Sequence, residues 1–249
     1  MLLGGYVYWR METRRVKVVF CDVGQGDGVL ISWREWQMVY DVGPKGRKMV
    51  NCLGKYVPFW DKTIETVIIS HWDEDHSGGL EEVNESYKIE QIFGSERPEG
   101  VKEQFFYSGD LIKNDIIRYG EIDFEILSPD QYLKETRTDD NGLSVVGLLS
   151  YKSNKILLMG DVDGEVENRL VWRGSLGKRV EGAIIKVSHH GARESTTEEL
   201  LDEVKPKMAV IGVGRNSFGH PSKEVLGRLE KAGVEVWRTD ERGELVVRY

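Results

Sequence analysis

Apolar and polar positions along the chain switch between two periods. Short apolar runs with strand character cover residues 16–21, 29–33, 37–40, 66–70 and 89–93, bounded by glycine and aspartate turns. Helical spacing separates the third run from the fourth over 45–57, and returns over 79–85. Residues 110–127 predict a strand meander, and 144–151 with 156–159 a hairpin. Beyond that point helices are predicted at 165–172, 196–204 and 222–232, alternating with strands at 183–188 and 208–213 and followed by strands at 234–237 and 244–248. So many short strands fit two packed sheets better than one open sheet, and the later strand–helix alternation adds flanking helices. The prediction is a layered α/β protein.

Composition narrows this picture. The 249 residues include 34 Lys and Arg against 42 Asp and Glu, a formal net charge of −8. Proteins that hold nucleic acid by bulk electrostatics are usually basic, so that mode is disfavoured. A hydrophobic content of 40% and only 6 prolines exclude a disordered chain. Cys21 and Cys52 are too few for a disulfide framework or a cysteine-rich zinc site. There are no repeats or low-complexity linkers, so the division is a stub at 1–15 ahead of one domain at 16–249. Within the stub, residues 2–9 are apolar and are followed by Arg10, Arg14 and Arg15. A spanning helix needs about 20 apolar residues. The stub is therefore expected as a disordered or edge-strand terminus, with the tail of a lost membrane segment as the sharper reading.

The chemistry is concentrated at five histidines: His71, His76, His189, His190 and His220. Each follows closely on a predicted buried strand, and strand ends are where ligands gather in α/β folds. Ser70-His-Trp-Asp-Glu-Asp-His-Ser-Gly-Gly79 offers two imidazoles and three carboxylates within six residues. On an extended stretch His71, Asp73 and Asp75 would face one pocket and Glu74 would face away. Imidazole and carboxylate suit Zn, Mn or Fe. The apolar run 156–159 ends in Gly160-Asp161, which puts a carboxylate at the sheet edge. His189-His190-Gly191 allows one histidine to ligate metal while its neighbour meets substrate. Gly214-Arg-Asn-Ser-Phe-Gly-His-Pro221 precedes a predicted helix, a setting suited to phosphate.

Taken together, these segments resemble the metallo-β-lactamase superfamily. Within it the chain is most similar to the C-terminal hydrolase domain of the DNA-uptake channel protein ComEC. The resemblance rests on DVGQGD at Asp22–Asp27, the Asp41-Val-Gly turn, SHWDEDHSGG, Asn141-Gly-Leu-Ser, LLMGD, HHG, GRNSFGHP and RTDERGEL. The chain departs from it in places. Asp73 stands where the superfamily's commonest motif has His, as in the ComEC branch. No histidine lies between His76 and Asp161, and Ala192 follows HHG where the branch usually has Ser. The channel's spanning helices are missing.

The resemblance implies an αββα sandwich, two mixed β-sheets flanked by helices, with a dinuclear metal site at one edge. It assigns His71, Asp73 and a bridging Asp161 to one ion. Asp75, His76, Asp161 and one of the HHG pair go to the other, with His190 the preferred ligand. His189, near the scissile phosphate, and Asp75 are the catalytic candidates, and Asn141, Asn216 and His220 the substrate-binding ones. Two divalent ions sharing a bridging hydroxide would hydrolyse a phosphodiester, and the oxygen-rich set favours Mn²⁺ over Zn²⁺. Such ions would also halve the net charge, with Lys178, Arg179, Lys186, Arg193 and Arg215 as guides for a phosphate backbone. The expected activity is a DNA nuclease linked to uptake, with single-stranded DNA as substrate and a separately encoded or lost membrane channel as partner. Its expected location is the outer face of the cytoplasmic membrane. The alternatives are a stand-alone hydrolase of a small phosphoester or other ester, and a metal-stabilised DNA-binding or channel-gating module without catalysis. Oligomeric state is not legible.

Overall fold

The computed structural model describes residues 15–96 and 107–249. The apolar stub at 2–9, and the expectations placed on it, lie outside the described residues. Strands β1 (Lys17–Phe20), β2 (Gly28–Trp33) and β3 (Trp36–Val42) form an antiparallel meander. Helix α1 (Lys48–Tyr56) leads to β4 (Thr63–Ile69), and α2 (Glu74–Ser77) and α3 (Leu80–Ser86) lead to β5 (Lys88–Gly94) and then β6 (Tyr107–Asp110). The second half opens with β7 (Ile116–Tyr119), β8 (Ile122–Ser128), α4 (Gln131–Thr136), β9 (Val146–Tyr151) and β10 (Asn154–Leu158). It continues through α5 (Gly164–Trp172), β11 (Ile184–Lys186), α6 (Glu198–Val204), β12 (Met208–Ile211), α7 (Lys223–Lys231), β13 (Glu235–Arg238) and α8 (Thr239–Arg242). The last strand, β14 (Leu245–Arg248), returns to pair with β1.

Two seven-stranded sheets result, ordered β14-β1-β2-β3-β4-β5-β6 and β13-β12-β11-β10-β9-β8-β7. In each, an antiparallel part gives way to a parallel one, at β3–β4 in the first and β10–β11 in the second. Strand alternation explains why both sheets are buried on both faces. Val18, Phe20, Ile31 and Tyr40 meet Phe124, Leu149, Ile156 and Val210 between the sheets. Val19, Leu30, Val39 and Val67 turn the other way, onto Met49 and Leu53 of α1 and Leu80 and Val83 of α3. On the far side, Leu157, Ile185, Ala209 and Ile211 pack under α5, α6 and α7 through Val166, Leu200 and Val225. The layers are therefore helix, sheet, sheet, helix. Each fully buried aliphatic side chain contributes roughly 1.5–3 kcal/mol.

Two features were not anticipated. Cys21 and Cys52 form a disulfide that ties the end of β1 to α1. Short helix α4 follows an Asp130 cap whose side chain accepts from the Leu133 amide. No helix among the described residues is long and apolar enough to cross a membrane.

Candidate metal centre

The parallel strands all deliver chain to one edge, and the chemically active loops meet there. Asp41 sits in β3, Ser70 and His71 follow β4, Asp161 follows β10, and the Ser188–Gly191 turn follows β11. The Asp22–Asp27 loop is wedged among them. An added Cβ on Gly26, at φ +128°, would lie 2.1 Å from the Asp75 carbonyl oxygen, and one on Gly214 would lie 2.5 Å from the Gln25 amide. Those two glycines are what permits the three loops to touch.

Three buried histidines present the same side of the ring to the centre. His76 Nδ1 lies 2.9 Å from Asp41 Oδ2, His190 Nδ1 2.7 Å from the Gly212 carbonyl, and His71 Nδ1 3.0 Å from Ser70 Oγ. With the Nδ1 proton of His76 and of His190 donated outward, each Nε2 carries its lone pair inward. His76 Nε2 and His190 Nε2 are 3.2 Å apart. Around them stand Asp161 Oδ1, 3.2 Å from His76 Nε2, and Asp75 Oδ2, 3.2 Å from His190 Nε2. Asp161 Oδ2 is 3.4 Å from His190 Nε2. His71 Nε2 is buried without a hydrogen-bond partner, and its ring centroid is 4.1 Å from that of His76. Asp73, half exposed, brings Oδ2 to 3.6 Å of His71 Nε2.

Two inward lone pairs at that separation, an orphaned imidazole nitrogen and converging carboxylates repel one another unless a cation lies between them. The donor set, imidazole plus carboxylate, is the kind that divalent transition metals take. The residues fit a metal centre.

The electrostatics of the side chains say the same. Burial opposes charge on the imidazoles of His76 and His190, yet Asp161 with Asp41, and Asp161 with Asp27, raise both well above the ordinary value. Burial likewise opposes ionisation of Asp161, but His190 and His76 hold its carboxyl well below the usual range. The field that these carboxylates set up at the imidazoles is one that favours positive charge there.

Several site residues were not assigned a role from the sequence. Asp27 belongs to the buried cluster with His76, Asp161 and His190. Its Oδ1 is 3.3 Å from His190 Nδ1 and its Oδ2 2.7 Å from buried Lys186 Nζ. Burial resists its ionisation, but Lys186 and His190 bring its pKa down to about 2. Asp41 accepts from the Ser70 amide and hydroxyl, both at 2.7 Å, as well as facing His76. Buried Glu167 accepts from Ser188 Oγ and from the Thr196 and Thr197 amides, which anchors the histidine turn. The available signal was an acidic residue next to an apolar strand, Asp27 just before residues 29–33 and Asp41 just after residues 37–40.

Other expectations change on inspection. The stretch after His71 is not extended, because α2 starts at Glu74. Asp73 reaches His71 and Asp75 reaches His190, while Glu74, as expected, stays exposed outside the centre, where its carboxylate accepts from the Lys45 amide at 3.2 Å. Asn216 is not a free phosphate donor. Its Nδ2 donates to the Gly214 and His220 carbonyls and its Oδ1 accepts from the Phe218 and His220 amides. The amide braces its own loop. Asn141 lies half-buried in a short turn whose carbonyl accepts from Ser144, and the Ser144 hydroxyl accepts from the Asp161 amide. His189, at φ +48°, is partly exposed with Nε2 3.9 Å from Asp161 Oδ2. His220 stands next to it, ring centroids 5.6 Å apart, and its pKa is lowered by burial and by His189 and His190.

Among the basic residues, Lys186 is inside the protein, Arg179 is paired with Glu125, and Arg193 with Glu224. Lys178 is exposed. Arg215 lines an open cleft of about 580 Å³ beside the centre, together with Lys45, Lys48, Asp73, Asp75 and Phe218.

Comparison with known proteins agrees with this architecture. The metallo-beta-lactamase superfamily profile matches residues 37–215. Recombination protein 2 of Haemophilus influenzae is 31% identical over 97% of the chain, and competence protein ComA of Neisseria gonorrhoeae 29% identical over 98%. The chain spans only 29% and 34% of the length of those relatives, respectively. The metallo-beta-lactamase fold protein YhfI of Bacillus subtilis superposes with a TM-score of 0.64, covering 95% of this chain and 100% of its own at 12% identity. The chain thus belongs to the metallo-β-lactamase superfamily and, within it, is close to the competence proteins.

Proposed function

We propose that the chain is a metal-dependent phosphodiesterase that cuts single-stranded DNA as part of DNA uptake. The observation that carries this reading is the convergence of His71, His76 and His190 with Asp73, Asp75 and Asp161, beside a cleft that Lys45, Lys48 and Arg215 also line. The competence relatives supply the biological setting. His71 and Asp73 would hold one divalent ion, Asp75, His76 and His190 a second, and Asp161 would serve both. When bound, such ions supply Lewis-acid charge and lower the pKa of water for in-line attack at phosphorus. The chain's own residues do the rest. Asp41 and the Gly212 carbonyl keep the imidazole lone pairs inward, while Asp27 and Lys186 fix His190. His189, at the mouth of the centre, is placed to hold or pass a proton at a phosphoryl oxygen, and His220 with Asn141 borders the same space. Carboxylate-rich ligation favours Mn²⁺ over Zn²⁺. A membrane channel at the outer face of the cytoplasmic membrane is the proposed partner.

The test is hydrolysis of a labelled oligothymidylate and of bis(p-nitrophenyl) phosphate with Mn²⁺ or Zn²⁺, for the parent and for Asp161→Asn. The parent should hydrolyse both substrates with Mn²⁺, and the variant neither. Hydrolysis of neither by the metal-loaded parent overturns the reading.

A further inference from the structure

The cleft beside the centre has features that metal ligation does not use. Lys45, Lys48 and Arg215 line it, all three exposed, and among the described residues none has a carboxylate within ion-pair distance. That sets them apart from Arg179, Lys186 and Arg193, each of which is neutralised by an acid. Lys48 is the first residue of α1, whose N-terminus has no side-chain cap and no acidic residue in its first turn. Amide donors and positive helix charge are therefore left unspent on the same wall. The Lys48 ammonium lies close to Gly24, 2.7 Å from where a Cβ would stand, and Gly24 lines the same cleft.

The cleft also has an aromatic edge. Phe218 is 74% exposed, an unfavourable position for a phenyl ring in water. Its ring stacks on His220 at a centroid distance of 5.6 Å and an interplanar angle of 28°. His220 meets His189 at 5.6 Å, and His189 reaches the Asp161 carboxylate. A row of rings thus runs from the centre to Phe218, which lines the same cleft as the three cations. The cleft volume of about 580 Å³ lies within the roughly 300–1,000 Å³ of small-ligand sites, enough for a nucleotide.

We propose that this cleft is a second nucleotide subsite, in which Lys45, Lys48 and Arg215 bind the phosphate adjoining the scissile one and Phe218 stacks its base. The inference rests on the phosphodiesterase reading and narrows it. The preferred substrate is a strand with at least two phosphates and an unpaired base, rather than a small ester. Asp75 and Asp73 form the boundary between the subsite and the centre.

The experiment compares kcat/KM for a labelled oligothymidylate, an abasic oligonucleotide of equal length and bis(p-nitrophenyl) phosphate, each with Mn²⁺. The parent, Phe218→Ala and the triple variant Lys45→Gln/Lys48→Gln/Arg215→Gln are assayed over a salt series. In the parent, the oligothymidylate should be preferred over the small ester at least 100-fold. The triple variant should lose most of that preference. Its slope of log affinity against log salt should become shallower by about 0.7, the contribution of the one single-strand phosphate that the three cations hold. Phe218→Ala should raise KM for the oligothymidylate about ten-fold, because base stacking on one ring is worth that much, and should leave the abasic KM in place. Metal content and urea midpoint, read on the same samples, verify that the variants are folded. An unchanged salt slope and preference in the folded triple variant overturns the subsite. A parent that hydrolyses the small ester but no oligonucleotide also overturns it while leaving the phosphodiesterase reading intact. A parent inactive on both overturns that reading itself.

Discussion

Replacing Asp41 by Asn should weaken divalent-metal affinity by about 10–100-fold without touching any proposed ligand, the range typical when a partner behind a ligating histidine is lost. The carboxylate is wholly buried and acts only as an acceptor: Oδ1 for the Ser70 amide, Oδ2 for the Ser70 hydroxyl and for His76 Nδ1. Asparagine has one acceptor oxygen and one donor group. If its oxygen faces His76, its NH₂ meets the Ser70 N–H, and a buried donor left without a partner costs about 1–3 kcal/mol. If its NH₂ faces His76, Nδ1 must become the acceptor and the ring proton moves to Nε2. It then points at His190 Nε2, 3.2 Å away, where the lone pair was needed. The first arrangement lowers stability, and the second lowers metal affinity by about 1.4–2.8 kcal/mol, which is the same 10–100-fold. The assay is competitive titration of Mn²⁺ and Zn²⁺ against a chelating indicator, with urea unfolding of the metal-free protein alongside. Affinity within two-fold of the parent, in a variant that unfolds at the parent's urea midpoint, would refute the tautomer argument.

Lys186→Met should destabilise the protein by about 3–5 kcal/mol, because it strands the buried Asp27 carboxylate. The double change Lys186→Met/Asp27→Asn should recover part of that loss in urea denaturation, and a double variant no more stable than the single one would show that the pair is not coupled. The chelated protein should lose stability as pH rises. His76 and His190 are raised above their ordinary value of 6.5, so their contribution is complete below that pH and is lost as pH climbs through their folded-state values. Asp161 and Asp27 are depressed below 3.8, so theirs is present above that pH and lost only as it falls toward their folded-state values, about 2 for Asp27. Metal binding displaces the histidine protons, so the gain in melting temperature on adding Mn²⁺ should grow from pH 6 to pH 8. A gain that shrinks with pH would contradict it.

The layered architecture was legible because each sheet is buried on both faces, which leaves uninterrupted apolar runs such as 66–70. The histidine and carboxylate residues after β4 stand out for the same reason, as polar residues crowded against an apolar strand. Their mutual geometry was less legible. Alternation along an extended chain placed Glu74 outside, where it is, but the reason was wrong, because α2 begins at that residue and the chain there is helical. Asp27 lay in a recognised motif without a role, since its partners Lys186 and His190 come from the other half of the chain. Asn216 looked like a ligand donor because asparagine in a glycine-rich loop serves either as donor or as brace. Only its four hydrogen bonds decide the matter. Likewise, Arg179 and Arg193 could not be separated from Arg215 until their acidic partners were seen.

The most direct test of the central claim is anomalous diffraction from a crystal soaked with Mn²⁺ and recorded near the manganese edge. The account predicts two peaks flanking the Asp161 carboxylate, one in contact with His71 and Asp73 and the other with Asp75, His76 and His190. A map with no peak among these side chains, in a soaked crystal that shows manganese elsewhere, would contradict it.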